Sequence, residues 1–303
     1  MIKFPAYLKK GDTIGITCPA GYMLKEKAQT CIETLQEWGY EVMVGKTLGS
    51  GSTNYFSGTD EERANEFQAM LDDDSIAAIL CARGGYGVGR IIDQLDFTRF
   101  KKKPKWIIGY SDITVFHCHL ESRLKTASIH SPMAAAFNDK GYQNEYVQSL
   151  KKVLTGKKAN YTCAAHAFNK NGKVTGELVG GNLSLLAHLT GTPSAINTKN
   201  KILFIEDIGE QIYSIDRMLY QLKRAGKLDN LAGLIVGGFT DMKDTDRPFG
   251  KTVYEAIREI VSNYDYPVCY QFPVSHSDEN YALKIGAEHT LTITGKISRL
   301  REL

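Results

Sequence analysis

The 303-residue sequence has no Cys-x-x-Cys pair, no tandem repeat, no low-complexity tract and no apolar run long enough to cross a bilayer. Its six cysteines (Cys18, Cys31, Cys81, Cys118, Cys163, Cys269) are scattered, several of them inside apolar runs. That spacing excludes a dithiol redox motif or zinc knuckle and suits reduced thiols acting as small hydrophobes. Cys81 lies within such a run, where burial dulls a thiol, and is read as core rather than nucleophile. Neither sign of charge is in excess, the formal balance being only +3, so no nucleic-acid partner is expected. The basic run Lys101-Lys102-Lys103-Pro104-Lys105 then reads as a solvated loop before a strand. Residues 1–10 lack a signal-peptide core, and with no spanning run a cytoplasmic protein without a membrane partner is expected. Glycines at 85, 87 and 89 fit neither the Rossmann fingerprint nor a Walker loop. His117 and His119, two apart on a helix, face different ways and make a poor metal pair. No cofactor or metal is expected.

What is present is ordinary globular composition, 43% apolar and 23% charged, which at this length gives one large or two medium domains. The first half alternates β-like runs with amphipathic segments: 13–18, a helix around 25–38, 41–44, a helix over 60–71, then 76–81. This is α/β rhythm. Thr59 followed by Glu62 forms a capping box that marks the helix start near Asp60. Between about 140 and 173 the pattern weakens into polar and small residues. The domains are therefore expected at 1–150 and 174–303, with a linker region at 151–173. The second half carries a strand at 201–205, an amphipathic helix through Met218, Leu219 and Leu222 ending near Gly226, a strand at 231–236 and a terminal strand at 291–294.

The richest segment is Trp106-Ile107-Ile108-Gly109-Tyr110-Ser111-Asp112-Ile113, where a buried strand breaks and a helical pattern starts at once. A serine on that bend presents its hydroxyl beside the unpaired N–H groups of a helix start, which favour developing negative charge. Serine is also a common N-cap, and Ile113 stands where the Gly-x-Ser-x-Gly elbow has its last glycine. A nucleophile here needs a base, an acid and a second oxyanion donor from elsewhere. The loop Arg83-Gly84-Gly85-Tyr86-Gly87 follows another strand and exposes backbone N–H groups at the same sheet end. Among seven histidines, His276 stands out in a polar loop after a β-like run, whereas His130, His188, His166 and His289 read as core, surface or loop groups. Glu206, with Asp207 beside it, ends the strand at 201–205; either carboxylate could instead cap the next helix. Ser111, Glu206 and His276 each follow an apolar strand, the arrangement that a hydrolytic triad needs.

With ArgGlyGlyTyrGly at 83–87, GlyTyrSerAsp at 109–112, GlyGlyAsnLeu at 180–183, PheIleGluAsp at 204–207, AspArgMetLeu at 216–219 and the His276 loop in order, the chain resembles the LD-carboxypeptidases, or muramoyltetrapeptide carboxypeptidases, and their microcin-immunity relatives. The resemblance implies an amino-terminal flavodoxin-like parallel-sheet domain and a carboxyl-terminal α/β domain with a small β-rich portion. It implies nucleophile Ser111, base His276, acid Glu206 and an oxyanion hole from the N–H groups of Gly85 and Asp112. It further implies a cytoplasmic, often dimeric enzyme that removes the terminal D-alanine from murein tetrapeptides. A peptide bearing carboxylates needs fixed cations, so Arg83 and Arg217 are substrate-binding candidates, with Gly84, Tyr86 and Tyr213 lining the cleft; Arg90 is read as a salt bridge. Two alternatives remain: a microcin-immunity peptidase acting on an aminoacyl-nucleotide amide, and a non-catalytic protein binding an anion at the glycine loop.

Overall fold

The computed structural model describes residues 2–303. Strands Thr13–Thr17 (β1), Glu41–Val44 (β2), Ile76–Cys81 (β3), Trp106–Gly109 (β4) and Ser128–His130 (β5) pair in parallel in the order β2-β1-β3-β4-β5. This is flavodoxin-like order, whose switch point lies between β1 and β3. β3 and β4 are buried almost throughout, as strands covered on both faces must be. The capping box expected at Thr59 is present, opening the helix Asp60–Asp72.

The second half supplies Asn160–Ala164 (β6), Gly172–Asn182 (β7), Ile202–Ile208 (β8), Gly233–Thr240 (β9), Val268–Tyr270 (β10), Leu283–Ile285 (β11), Glu288–Ile293 (β12) and Ile297–Glu302 (β13). Seven of these form one sheet in the order β10-β9-β8-β7-β12-β13-β6. The β10-to-β7 half is parallel and the remainder antiparallel. β7 serves both, pairing with β12 through Gly172–Glu177 and with β8 through Leu178–Asn182. The final strand is thus β13 rather than 291–294, which belongs mostly to β12. Residues 151–173, read from sequence as a linker region, contain β6 and the first residues of β7.

The two halves are fastened together in two ways. β11 leaves its own half and pairs antiparallel with β5, Leu283 opposite His130, so the last strand of the first sheet comes from near the carboxyl terminus. A continuous apolar cluster also runs from Phe67, Ile113 and Phe116 to Val179, Leu183, Leu203 and Ile215. Burial at about 25 cal/mol per Å² makes such a shared core costly to open.

Candidate active site

Ser111 follows β4 in a single turn of 3-10 helix, Ser111–Ile113, that runs into the helix Thr114–His119. Its backbone is left-handed at φ 63°, a strained conformation for a residue with a side chain. The buried His117 holds the strand end just before it: Nε2–H donates to the Gly109 carbonyl at 2.8 Å, and Nδ1 accepts from the Ser128 hydroxyl, also at 2.8 Å. Burial pushes the His117 pKa down to about 4, so this brace stays neutral. Glycine is expected to relieve the strain at 111. Ser111→Gly should unfold about 0.5–1 kcal/mol later than Ser111→Ala in denaturant titrations, left-handed relief outweighing glycine's extra entropy loss; equal midpoints would count against strain.

The glycine loop after β3 lies against this turn. A Cβ on Gly84 would come within 2.9 Å of Ser111 Cβ and 3.2 Å of its Oγ, so only glycine lets the loop approach. The GlyGlyAsn motif of the second half docks on the other side of the serine helix. A Cβ on Gly181 would sit 2.5 Å from Thr114 Oγ1, and Asn182 N–H donates to that same oxygen at 3.1 Å.

Glu206 is fully buried on β8, and His276 lies in the loop joining β10 to β11. His276 Nδ1–H donates to Glu206 Oε2 at 2.6 Å. This bond fixes the tautomer and leaves the Nε2 lone pair free; Nε2 is buried with no hydrogen-bond partner. Burial pulls the imidazolium pKa down, but the hydrogen bond and charge of Glu206, with Asp207 further off, outweigh it, so the His276 pKa is raised. Asp207 plays a different part. It accepts from Asn182 Nδ2 at 2.8 Å and from Ser184 N–H at 2.9 Å at the start of the helix Leu183–His188. Burial, then the neighbouring Glu206 charge, lifts its pKa to about 6.

Ser111 reaches this pair through its neighbour Tyr110, whose ring centroid lies 4.8 Å from that of His276. No hydrogen bond joins the Ser111 hydroxyl to His276 Nε2. Tyr110 also packs edge-on against His130 at 5.8 Å, and His130 Nε2–H donates to Asn280 Oδ1 at 2.8 Å. Burial holds the His130 pKa down at about 3. This neutral tie joins the end of β5 to the His276 loop across 150 residues of sequence, and no local pattern could have announced it.

The remaining candidates divide. Arg83 Nη1 donates to the Tyr22 carbonyl at 2.6 Å and, with Tyr110 and Lys27, lines a cavity of about 460 Å³ beside the serine turn. Gly85 is left-handed at φ 94° and has the Tyr55 hydroxyl, which the sequence reading missed, against it. Tyr86 is exposed and packs on Phe56, while Arg90 forms the expected ion pair, with Asp60. Tyr213 and Arg217 face each other, the guanidinium 5.4 Å from the ring centroid, with Arg217 also donating to Ser214 Oγ. No hydrogen bond links either of them to Ser111, Glu206 or His276. Cys81 is fully buried and its pKa pushed well up by burial, as expected of core. Among the described residues no three His, Cys, Asp or Glu side chains gather as a metal site, and no helix is long and apolar enough to cross a membrane.

A strained serine at a flavodoxin-like strand end, with Tyr110 beside it packed on a His276 ring that is bonded to the buried Glu206, has the makings of a serine hydrolase. The LD-carboxypeptidase N-terminal domain matches residues 14–131 and the LD-carboxypeptidase C-terminal domain residues 175–291. The probable murein peptide carboxypeptidase of Bacillus subtilis is 36% identical, over 96% of this chain and 92% of that protein. The microcin C7 self-immunity protein MccF of Escherichia coli is 28% identical, over 96% and 93%. The crystal structure of muramoyltetrapeptide carboxypeptidase from Oxalobacter formigenes matches with a TM-score of 0.85 at 28% identity, covering 96% of this chain and 98% of that one. The chain belongs to the LD-carboxypeptidase family and is a serine peptidase, which retires the non-catalytic reading.

Proposed function

We propose that the chain removes the terminal D-alanine from murein tetrapeptides through an acyl-enzyme on Ser111. His276 Nε2 takes the Ser111 proton as Oγ attacks the carbonyl carbon on the L-configured side of the scissile amide. The N–H groups of Gly85 and Asp112 receive the oxyanion, an interaction that strengthens as charge develops. The tetrahedral adduct collapses when the imidazolium returns its proton to the leaving amine, releasing D-alanine, and water repeats the sequence to free the tripeptide. Glu206 holds the Nδ1–H tautomer and stabilises the imidazolium without taking the proton. The observation that carries this reading is the 2.6 Å His276–Glu206 bond, which leaves a buried, unpaired Nε2 beside Tyr110 and hence beside the serine turn. Arg83, at the rim of the adjoining cavity, is the substrate cation of choice. Gly84, Tyr86, Tyr213 and Arg217 belong to the same proposal as cleft residues. So do domains divided at 1–150 and 174–303, a cytoplasmic setting suited to six free thiols, and a homodimer, to be read by light scattering.

Mass spectrometry of L-Ala-D-Glu-diaminopimelate-D-Ala incubated with the enzyme tests the substrate. Loss of the last residue, abolished in Ser111→Ala, is the expected result; an intact tetrapeptide refutes it. The MccF similarity supports a second reading, in which the same groups cleave an aminoacyl-nucleotide amide. Turnover of an aminoacyl sulfamoyl adenosine with the tetrapeptide left intact would favour that one.

A further inference from the structure

The Gly87–Val88 peptide unit, at the far end of the glycine loop, is gripped at both of its polar groups. Its N–H, on Val88, donates to Asp112 Oδ2 at 2.8 Å, and its carbonyl, on Gly87, accepts from Arg63 Nη1 at 3.2 Å. Both gripping side chains are buried, Arg63 completely. Arg63 is itself anchored: the same nitrogen donates to the Pro19 carbonyl at 2.6 Å, Nη2 pairs with Asp60, and the guanidinium lies 4.9 Å from the Phe56 ring centroid. At its near end the loop is fixed where Ala82 N–H donates to the Thr17 carbonyl at 2.8 Å. Between these two fixtures lie Gly84, which rests against Ser111, and Gly85, the proposed oxyanion donor.

We propose that Asp112 and Arg63 are positioning residues that lock the Gly87–Val88 peptide and so hold the glycine loop in the shape that binds the oxyanion. The assignment rests on the serine reading above. It gives Asp112 two tasks: its N–H points to the developing charge while its carboxylate ties down the loop carrying the other donor. Gly21 N–H donates to the Gly84 carbonyl at 2.9 Å and holds the Gly84–Gly85 peptide from one side; the grip on Gly87–Val88 fixes the chain that leaves it, so that with both in place the Gly85 donor is preorganised. Burial lifts the Asp112 pKa to about 6, against the pull of the Gly87 and Val88 N–H groups and of Arg63. An ionised group whose pKa is raised on folding works against stability above that pKa, so a carboxylate kept there calls for a functional reason.

The test compares a tetrahedral ligand with a planar one. The probe is the tripeptide L-Ala-D-Glu-diaminopimelate with its terminal carboxyl replaced by a boronic acid, to whose boron the Ser111 oxygen adds. The control is the tripeptide product. For Asp112→Ala, which removes the acceptor of the Val88 N–H, the boronate should bind at least tenfold more weakly, kcat should fall by a similar factor, and product affinity and KM should stay within twofold; Asp112→Asn, which keeps an acceptor oxygen, should recover most of the loss. Arg63→Lys, approaching the same peptide from its other side, should give the same split. Equal weakening of both ligands, no weakening of either, or failure of all three variants to fold would overturn the assignment. Boronate binding that survives unchanged in Ser111→Ala would instead remove the serine reading, and this assignment with it.

Discussion

Replacing His276 with alanine is expected to lower kcat/KM for the tetrapeptide by about 10⁴–10⁶, because the serine hydroxyl then has no base within reach. The His276 loop is pinned in both sheets, at β10 and β11, and its neighbour Asn280 is tied to His130. Losing one imidazole should therefore leave the fold in place. Ser111→Ala should cost about as much, and the double variant little more than either single one, because groups that act as a unit do not contribute additively. Progress curves for the two single variants and the double variant decide the matter. Losses that multiply would show that the two residues work independently.

Glu206→Gln should reduce the plateau of kcat/KM by roughly 10⁴, the scale seen when a triad carboxylate becomes an amide. The pH profile should change as well, and its direction follows from the charges. The base must be neutral, so kcat/KM rises with pH through the His276 pKa. That pKa is raised, burial being outweighed by Glu206 and more weakly by Asp207, so the wild-type limb lies above the ordinary value of about 6.5. With the Glu206 charge gone, burial prevails and the limb moves to lower pH while the plateau falls. A limb that stays in place, or moves up, would separate Glu206 from the base. Asp207 cannot substitute, because its oxygens are occupied by Asn182 and by the start of the helix Leu183–His188.

Local chemistry made much of this legible in advance. The capping box at Thr59 fixed the helix Asp60–Asp72, and apolar runs marked the cores of β3, β4 and β8. What escaped depends on contacts distant in sequence. β11 is three residues long and has no periodicity to show, and its partner strand, Ser128–His130, lies far back in the sequence. β6 alternates exposed and covered positions within polar surroundings that look like a linker. Sequence named Glu206 as the acid but left a capping role open for it as for Asp207; the strand's alternation turns Glu206 toward His276 and Asp207 toward Asn182. Arg63, the sole cation of the helix Asp60–Asp72, gave no signal of its partners, because Pro19 and Gly87 lie far from it in sequence. The GlyGlyAsn motif was recognisable as a string, but its physical purpose, letting the second half seat on Thr114, needed the third dimension.

The crossing of β11 into the first sheet has a further consequence for the nascent chain. A ribosome that has made the amino-terminal half has already supplied the serine, yet the imidazole and the strand that seats its loop arrive only within the last few dozen residues. If the proposed roles hold, a chain that stops before residue 276 carries the serine without its base. On the proposed triad, hydrolytic power requires a chain that extends at least through β11.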